Sequence, residues 1–231
     1  MRILLGVCGI GRGHSIRQTC ILSELLKRDH KVALFTFGES TKYFKKYFPD
    51  VIIFEVSVPW IYADSNGIDF LKIAHDKNNI SQDGYFKNFK AMDKVLKYFK
   101  SNPDLILTDY EPISAQLAYA TCTPLVTIDQ QSKYLGYNFS PFENFSPLEE
   151  RSRLSLFFPK ANMRFSCSFF SILCLYQISK YSRKSKPHFP KPIPISNIDR
   201  GLRTFTSLII SVICISVLVG IFTNPCLSVI R

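Results

Sequence analysis

Glycine and basic residues cluster directly after the first apolar run of the chain. The run Ile3 to Val7 is followed by Gly9-Ile10-Gly11-Arg12-Gly13-His14, and Arg17 comes shortly after it. Glycines at a strand-to-helix turn allow backbone N–H groups and the helix N-terminus to approach an anion, usually a phosphate. The pattern predicts an anion-binding loop that contains Gly9, Gly11, Arg12, Gly13 and Arg17. The alternative is a tight turn that needs glycine only for close packing.

The spacing of these glycines argues against two common nucleotide-binding loops. The dinucleotide fingerprint needs glycines at positions i, i+2 and i+5, whereas the i+5 position here is His14. A P-loop needs Gly-Lys-Ser/Thr after its glycines, and no such sequence follows here. A dehydrogenase-type domain, with Glu39 after the second strand as the ribose ligand, is therefore a poor match.

Two residues have the chemistry of a proton-transfer pair. His14 follows the first predicted strand and Asp109 follows the fourth. The carboxyl ends of parallel strands meet at one edge of a sheet, so we expect both side chains to emerge there. An imidazole that is oriented by a carboxylate is a general base near neutral pH. Glu111 is an equally placed acidic partner. In the alternative interpretation His14 caps its helix or binds phosphate, and Asp109 caps the helix that begins at Pro112.

Short apolar runs alternate with helical patterns along the first part of the chain. The predicted strands are Ile3 to Val7, Val32 to Phe37, Val51 to Val56, Asp104 to Thr108 and Pro124 to Ile128. Helical periodicity covers His14 to Arg28, Ser40 to Phe48, residues 68–100 and Pro112 to Ala120. Continuously apolar strands separated by helices are typical of a parallel sheet covered on both faces. We predict an α/β, Rossmann-like, doubly wound sheet, with ligands bound by the loops 8–14, 109–112 and 129–132.

Charge and cysteine usage limit the function classes. Residues 1–150 contain equal numbers of acidic and basic side chains, so the net charge of +11 comes from residues 151–231, whose only acid is Asp199. This distribution gives no support for nucleic-acid binding by the first 150 residues. The 7 cysteines form no CxxC pair and match no zinc spacing. We expect no bound metal, and reduced thiols in the cytoplasm.

The composition changes near residue 151, and we expect the first domain to end at residue 160. Residues 161–203 are predicted to be irregular because they are basic and rich in proline and serine. Residues 204–222 are uncharged over a length that fits a transmembrane helix. The abrupt loss of acidic residues is also typical of a reading-frame shift. We therefore expect no packed domain beyond about residue 165, and either a membrane anchor or out-of-frame sequence at 204–222.

Residues 84–100 have the pattern of an amphipathic helix with a basic side. Its apolar side consists of Phe86, Phe89, Val95, Leu96 and Phe99. Its basic side consists of Lys87, Lys90, Lys94 and Lys97. Such a helix is suited to a surface of anionic lipid. The alternative, which the pattern favours, is a helix packed on the core with solvated lysines.

Parts of this sequence resemble GT-B glycosyltransferases. The stretch Gly9 to Arg17 (GIGRGHSIR) is similar to their N-terminal signature, including that of the lipid-linked N-acetylglucosaminyltransferases of peptidoglycan synthesis and the diacylglycerol galactosyltransferases. Pro103 to Pro112 (PDLILTDYEP) and Pro124 to Gln131 (PLVTIDQQ) resemble the last strands of the same domain, most closely in a teichoic-acid-type branch. The resemblance covers about residues 1–165. Gln131-Ser132 departs from the histidine expected shortly after the last strand.

The resemblance implies a hexosyltransferase that uses a nucleotide sugar as co-substrate and needs no other cofactor. In such enzymes the N-terminal domain binds the acceptor, here a lipid-linked or cell-envelope glycan, and a second Rossmann-like domain binds the donor. The resemblance also implies that His14 is the catalytic base and Asp109 its partner. Candidate acceptor or phosphate ligands are Gly9, Gly11, Arg12, Gly13, Arg17, Glu111, Asp129 and Gln130.

The last third of the sequence lacks the marks of a donor-binding domain. It contains no second glycine loop, and Asp199 is its only acid. We therefore expect a truncated transferase that is inactive by itself, unless a second chain supplies the donor domain. The alternative is a non-catalytic acceptor- or nucleotide-binding subunit that residues 204–222 anchor to the membrane. Both expectations place the chain in the cytoplasm, or at the inner face of the plasma membrane.

Overall fold

The computed structural model of the 231-residue chain describes residues 1–60, 62–64, 67–76, 81–136, 146–167 and 227–230. Its strands are β1 (Arg2–Val7), β2 (Lys31–Thr36), β3 (Ile52–Glu55), β4 (Ala63–Asp64), β5 (Gly67–Ile68), β6 (Leu105–Asp109), β7 (Leu125–Asp129), β8 (Met163–Cys167) and β9 (Leu227–Ile230). Its helices are α1 (Gly13–Lys27), α2 (Gly38–Tyr47), α3 (Phe70–His75), α4 (Gln82–Phe99), α5 (Pro112–Thr121), α6 (Lys133–Gly136) and α7 (Pro147–Phe157). The five predicted strands are all present, and their bounds agree with the prediction to within one residue.

Within the described ranges, six strands form a parallel sheet in the order β3-β2-β1-β6-β7-β8. Strand β9 pairs antiparallel with β8 at one edge, and β4 and β5 form a separate antiparallel pair. The order reverses between β1 and β6, which is the topological switch point where ligands bind in open α/β sheets. The predicted Rossmann-like fold is confirmed.

Both faces of the sheet are covered by helices, which explains why the strands are continuously apolar. On one face Leu4, Phe35 and Ile106 pack in one buried cluster with residues of α4, α5 and α7. On the other face Leu5 and Leu34 pack with residues of α1 and α2. The neighbouring residues of each strand thus alternate between two cores, and neither face of these strands is left for solvent.

Strand β8 lies beyond residue 160, where the sequence predicts the first domain to end. Its sequence MRFSC has no continuous apolar run. Phe165 is buried in the core, while Met163 and Arg164 are only half-buried. Strand β7 pairs with it from Val126–Met163 to Asp129–Ser166. The prediction of irregular structure is therefore wrong for residues 163–167. The predictions for residues 168–226, including the apolar stretch 204–222, fall outside the described residues.

Helix α4 divides the predicted apolar side into a buried part and an exposed part. Val95 and Phe99 are buried against the sheet together with Ala91. Phe86 and Phe89, in the first half of the helix, are 55% and 65% exposed. The expectation of a core-packed helix thus holds for the second half of α4 but not for these two rings. No helix within the described part of the chain is long and apolar enough to span a membrane.

Candidate functional site

The carboxyl ends of β1 and β6 lie side by side at the switch point of the sheet. Their register places Val7 opposite Asp109, and the backbone N–H of Cys8 donates to the Asp109 carbonyl oxygen over 3.0 Å. Helix α1 begins at Gly13, so its first turn carries His14 across these strand ends. The fold therefore brings together two residues that are 95 positions apart in the sequence.

His14 and Asp109 are in direct contact. The Nδ1 atom of His14 lies 2.8 Å from Oδ1 of Asp109. The Asp109 side chain is fully buried, whereas 13% of the His14 side chain remains exposed. Because only the ring is accessible, a bound molecule would meet the imidazole and would not touch the carboxylate.

Two further side chains of α1 bind the same carboxylate. The Arg17 guanidinium donates from Nε to Oδ2 over 3.0 Å and from Nη2 to both carboxylate oxygens over 2.7 Å. Nε2 of Gln18 donates to Oδ2 over 2.9 Å and to the carbonyl oxygen of Ile128 over 3.1 Å. Residues at i, i+3 and i+4 share one face of a helix, which explains how His14, Arg17 and Gln18 converge. Arg17 thereby forms an ion pair with a buried acid.

The charges of this cluster shift the pKa of its members. Burial acts to raise the pKa of Asp109, but the charge of Arg17 and the hydrogen bond from His14 outweigh it and lower that pKa. Burial acts to lower the pKa of His14, but the hydrogen bond to Asp109, with a smaller contribution from Cys8, raises it to about 10. At neutral pH the pair is therefore an imidazolium beside a carboxylate.

The glycine loop combines a packed part with an open part. A Cβ atom on Gly9 would lie 1.9 Å from the carbonyl oxygen of Phe37, so close packing requires glycine there. Gly11 has a positive φ of 69°, a conformation that favours glycine. Nothing lies within 4 Å of a Cβ on Gly11 or Gly13, and Arg12 beside them is exposed. The tight-turn alternative thus explains Gly9, while the rest of the loop faces solvent.

The sequence was compared with models of protein families. The model described as glycosyl transferase family 1 matches residues 1–181. The chain belongs to glycosyl transferase family 1. This membership confirms the resemblance to glycosyltransferases and makes the dehydrogenase-type alternative wrong. A search of curated proteins found no match to this chain.

Solved structures with similar chains are glycosyltransferases and related proteins at low sequence identity. MurG from Acinetobacter baumannii is 14% identical, with a TM-score of 0.43 over 74% of this chain and 42% of that chain. Arabidopsis thaliana UGT89C1 complexed with quercetin is 13% identical, with a TM-score of 0.45 over 88% and 55%. The S. aureus MnaA-UDP co-structure is 11% identical, with a TM-score of 0.41 over 71% and 37%. The chain spans 37% to 55% of the length of these proteins.

Glu111 of this family 1 chain does not join the His14 cluster. Its carboxylate accepts hydrogen bonds from the backbone N–H groups of Ile113 and Ser114, each over 2.7 Å, and thereby caps α5. Glu111 has no exposed surface. The alternatives of Glu111 as the partner of His14 and of Asp109 as the cap of α5 are therefore both wrong. In this structure the buried Glu111 presents no surface to an acceptor.

The loop after β7 lies close to the cluster but faces inward. Asp129 is fully buried, and its carboxylate accepts from the backbone N–H and the hydroxyl of Ser132 over 2.5 and 3.0 Å. Burial, with a smaller contribution from the charge of Asp109, raises the pKa of Asp129 to about 6. Gln130 beside it is half-buried. Of these two candidates, only Gln130 has surface that a ligand could reach.

Sequence reasoning missed Gln18 and the bonding role of Arg17. The only signal available was their spacing of three and four residues from His14 on a predicted helix. Within the described residues, no group of three or more His, Cys, Asp or Glu side chains is arranged to hold a metal ion.

Proposed function

We propose that this chain forms the acceptor-binding domain of an enzyme that transfers a hexosyl group from a nucleotide sugar to a lipid-linked or cell-envelope glycan. The observation that carries this proposal is the contact of His14 with Asp109 at the switch point of the sheet, 2.8 Å from Nδ1 to Oδ1. Membership in glycosyl transferase family 1 supplies the class of reaction.

In the proposed reaction His14 is the general base. Its Nδ1–H group donates to Asp109. Once the ring has released its Nε2 proton, the lone pair of Nε2 is available for the proton of an acceptor hydroxyl. As this proton moves to Nε2, the hydroxyl oxygen bonds to the anomeric carbon of the donor. The bond from that carbon to the nucleoside diphosphate breaks, and its electron pair leaves with the phosphate oxygen. Asp109 stabilises the imidazolium that results.

The open part of the glycine loop is proposed to bind the anionic group of the acceptor. Helix α1 begins at Gly13 with no acidic residue in its first turn and no side chain capping it. The N-terminus of a helix attracts anions through its unpaired N–H groups and its dipole. Gly11, Arg12 and Gly13 are exposed beside His14, so a phosphate bound there would lie close to the proposed base.

We also propose that α4 contacts a membrane surface at the inner face of the plasma membrane. Phe86 and Phe89 are exposed on the side of α4 opposite the buried face, and Lys90 and Lys94 are exposed near them. Aromatic rings beside lysines are suited to the interface of an anionic bilayer. Asn88 in the first half of α4 forms hydrogen bonds to the backbone of Ser57, directly beyond the carboxyl end of β3, so these rings lie toward the same edge of the sheet as His14.

The donor is proposed to bind to a second domain, supplied by further sequence of this protein or by another chain. The MnaA structure, of which this chain covers 37%, is a complex with the nucleotide UDP. A nucleotide sugar is the corresponding co-substrate here, and the proposed reaction uses no other cofactor.

A second function is favoured by the charge of His14. Because its pKa is raised to about 10, the ring is positively charged at neutral pH and is suited to binding an anion. It accepts a proton only after it has released its own Nε2 proton. A subunit that binds an anionic acceptor without catalysing transfer is the alternative that this observation supports.

A transfer assay separates these functions. The full chain is incubated with bacterial envelope lipids and with radiolabelled UDP-glucose or UDP-N-acetylglucosamine, with and without bacterial lysate, and label in the lipid fraction is counted. We expect transfer that falls by ~10²–10⁴ in His14→Ala. Transfer only with lysate would support a second chain as donor domain. Equal label for wild type and His14→Ala in both conditions would contradict the proposal, and tight binding of NAD to the chain would contradict it independently.

A further inference from the structure

The Nδ1 atom of His14 has two charged neighbours of opposite sign. Oδ1 of Asp109 lies 2.8 Å away and Nη2 of Arg17 lies 3.0 Å away. Only one of these contacts can be a hydrogen bond from the ring, because Nη2 carries protons and accepts none. The nearer and negatively charged Asp109 is the acceptor for the Nδ1 proton. The Arg17 contact then places a positive charge against a ring that is itself positive when doubly protonated.

Arg17 is held in this position by the carboxylate that it shares with His14. Its Nη2 atom lies 2.7 Å from each oxygen of Asp109, and its side chain is only 19% exposed. A guanidinium with several bonds to one buried carboxylate has little freedom to turn away. The repulsion of the doubly protonated ring by Arg17 is therefore a fixed property of the fold.

We propose that Arg17 is a positioning residue that fixes Asp109 against His14 and that, through its charge beside Nδ1, makes the doubly protonated ring release its Nε2 proton at a lower pH than the Asp109 contact alone would allow. A like charge at this distance disfavours the charged form of a neighbour, just as an opposite charge favours it. Arg17 thus makes more of His14 available as a base. This consequence for rate rests on the proposed function, whereas the effect on the ring itself does not.

Other titratable groups act on the cluster from three strands. Cys8 at the end of β1 acts on His14, and Asp129 on β7 and Cys167 on β8 interact with Arg17 and Asp109. Burial raises the pKa of Cys167 to about 12, so its thiol stays neutral over the range in which the test is made. Asp129 titrates near pH 6. The release of the His14 proton is therefore to be followed above pH 8, where Asp129 is almost fully charged.

The test is a titration of His14 by ¹H–¹⁵N NMR in the full chain, with imidazole nitrogens labelled and the His14 signals assigned by their loss in His14→Gln. In Arg17→Met, which keeps length but removes charge, we expect the measured pKa of His14 to rise by about one. Arg17→Lys keeps a positive charge, so the pKa of His14 in this variant should lie close to the wild-type value. Gln18→Met is the matched control, since it removes a neutral hydrogen bond from the same carboxylate.

Two results would overturn the proposal. One is a pKa of His14 that stays unchanged or falls in folded Arg17→Met, or that rises as much in Gln18→Met. The other is a wild-type ring whose neutral form carries its proton on Nε2, because Arg17 would then be a hydrogen-bond donor to Nδ1. The position of the proton on the neutral wild-type ring can overturn the proposal even if Arg17→Met does not fold. If His14→Gln leaves transfer intact, the base assignment fails while the titration result stands.

Discussion

Asp109 and Glu111 lie two residues apart, yet their carboxylates serve different elements. Asp109 accepts hydrogen bonds from the first turns of α1, while Glu111 caps α5. Tyr110 between them has a positive φ of 57°, so the backbone turns sharply after β6. The two acids therefore point away from each other, and only Asp109 reaches the switch point of the sheet.

Replacement of His14 tests its role in proton transfer. We expect His14→Ala to lower turnover by ~10²–10⁴ because the acceptor hydroxyl loses its base. The measurement is the rate of label transfer, together with a thermal melt that should show a folded protein. His75→Ala is the control, since His75 is exposed on α3. Near-wild-type turnover in His14→Ala would remove this residue from the mechanism.

Replacement of Asp109 tests how His14 is tuned. In Asp109→Asn the pKa of His14 should fall, because burial then acts without the opposing carboxylate. We expect a loss of turnover smaller than that of His14→Ala. The rise in rate that accompanies deprotonation of His14 should also move to lower pH. Rates measured from pH 6 to 10 with both variants check this, and a rise that does not move would contradict the pairing. Arg17 would lose its buried partner, so the free energy of unfolding should also decrease by about 3 kcal/mol.

Glu111 predicts a loss of stability as the pH rises. Burial raises the pKa of Glu111 to about 7, with the capping hydrogen bonds opposing this shift. The neutral form is favoured in the fold, so the stabilisation is fully present below the unfolded pKa and is lost between about pH 4.5 and 7. The expected decrease is about 3 kcal/mol in the free energy of unfolding. Urea unfolding at pH 5 and pH 8 measures it by comparison with Glu111→Gln, because the contributions of Asp129 and His14, which have the same sign, are present in both proteins.

Glu111→Gln is the matched variant for this pH effect. It cannot ionise, so its difference from wild type should shrink or reverse as the pH rises from 5 to 8. A difference that is constant over this range would show that Glu111 does not titrate there. The two backbone N–H groups of Ile113 and Ser114 donate to different oxygens of Glu111, and a glutamine has only one oxygen there. One N–H group therefore loses its acceptor, and we expect Glu111→Gln to be less stable than wild type at pH 5.

The glycine loop predicts opposite effects for two alanine substitutions. Gly9→Ala places a Cβ atom 1.9 Å from the Phe37 carbonyl oxygen, so the backbone must shift. We expect a loss of about 1–3 kcal/mol in the free energy of unfolding. Gly13→Ala meets nothing within 4 Å and replaces glycine at the start of a helix. It should be neutral or stabilising by up to about 1 kcal/mol. Denaturant unfolding of both variants at one pH makes the comparison, and equal losses would contradict it.

The exposed rings of α4 predict binding to anionic vesicles. We expect the full chain to float with vesicles of phosphatidylglycerol and phosphatidylcholine, and to do so less with phosphatidylcholine alone. Phe86→Ser with Phe89→Ser should weaken binding without loss of stability, because both rings are exposed. Tyr47→Ser is the control, since Tyr47 is exposed on α2 on the other face of the sheet. Unchanged flotation of the double variant would exclude these rings as the contact.

The sequence by itself determined the parallel sheet and the edge at which its chemistry lies. Continuous apolar runs such as Leu105 to Leu107 require cover on both faces, and this requirement does not depend on contacts elsewhere in the chain. The strand-to-helix order then directs the residues after each strand to one edge. His14 and Asp109 were identifiable for that reason. The resemblance of the loop Gly9 to Arg17 to glycosyltransferases was likewise visible in the sequence alone.

Only the tertiary structure decided which side chains meet at that edge. Whether Asp109 or Glu111 contacts His14 depends on the backbone turn at Tyr110. The partner of Arg17 is Asp109, which is 92 positions away in the sequence. Strand β8 escaped prediction because its alternating sequence becomes a strand only when β7 offers it hydrogen bonds. The exposure of Phe86 and Phe89 likewise depends on where α4 leaves the sheet. Apolar runs act locally along the chain, whereas hydrogen-bond partners and exposure are set by packing between distant segments.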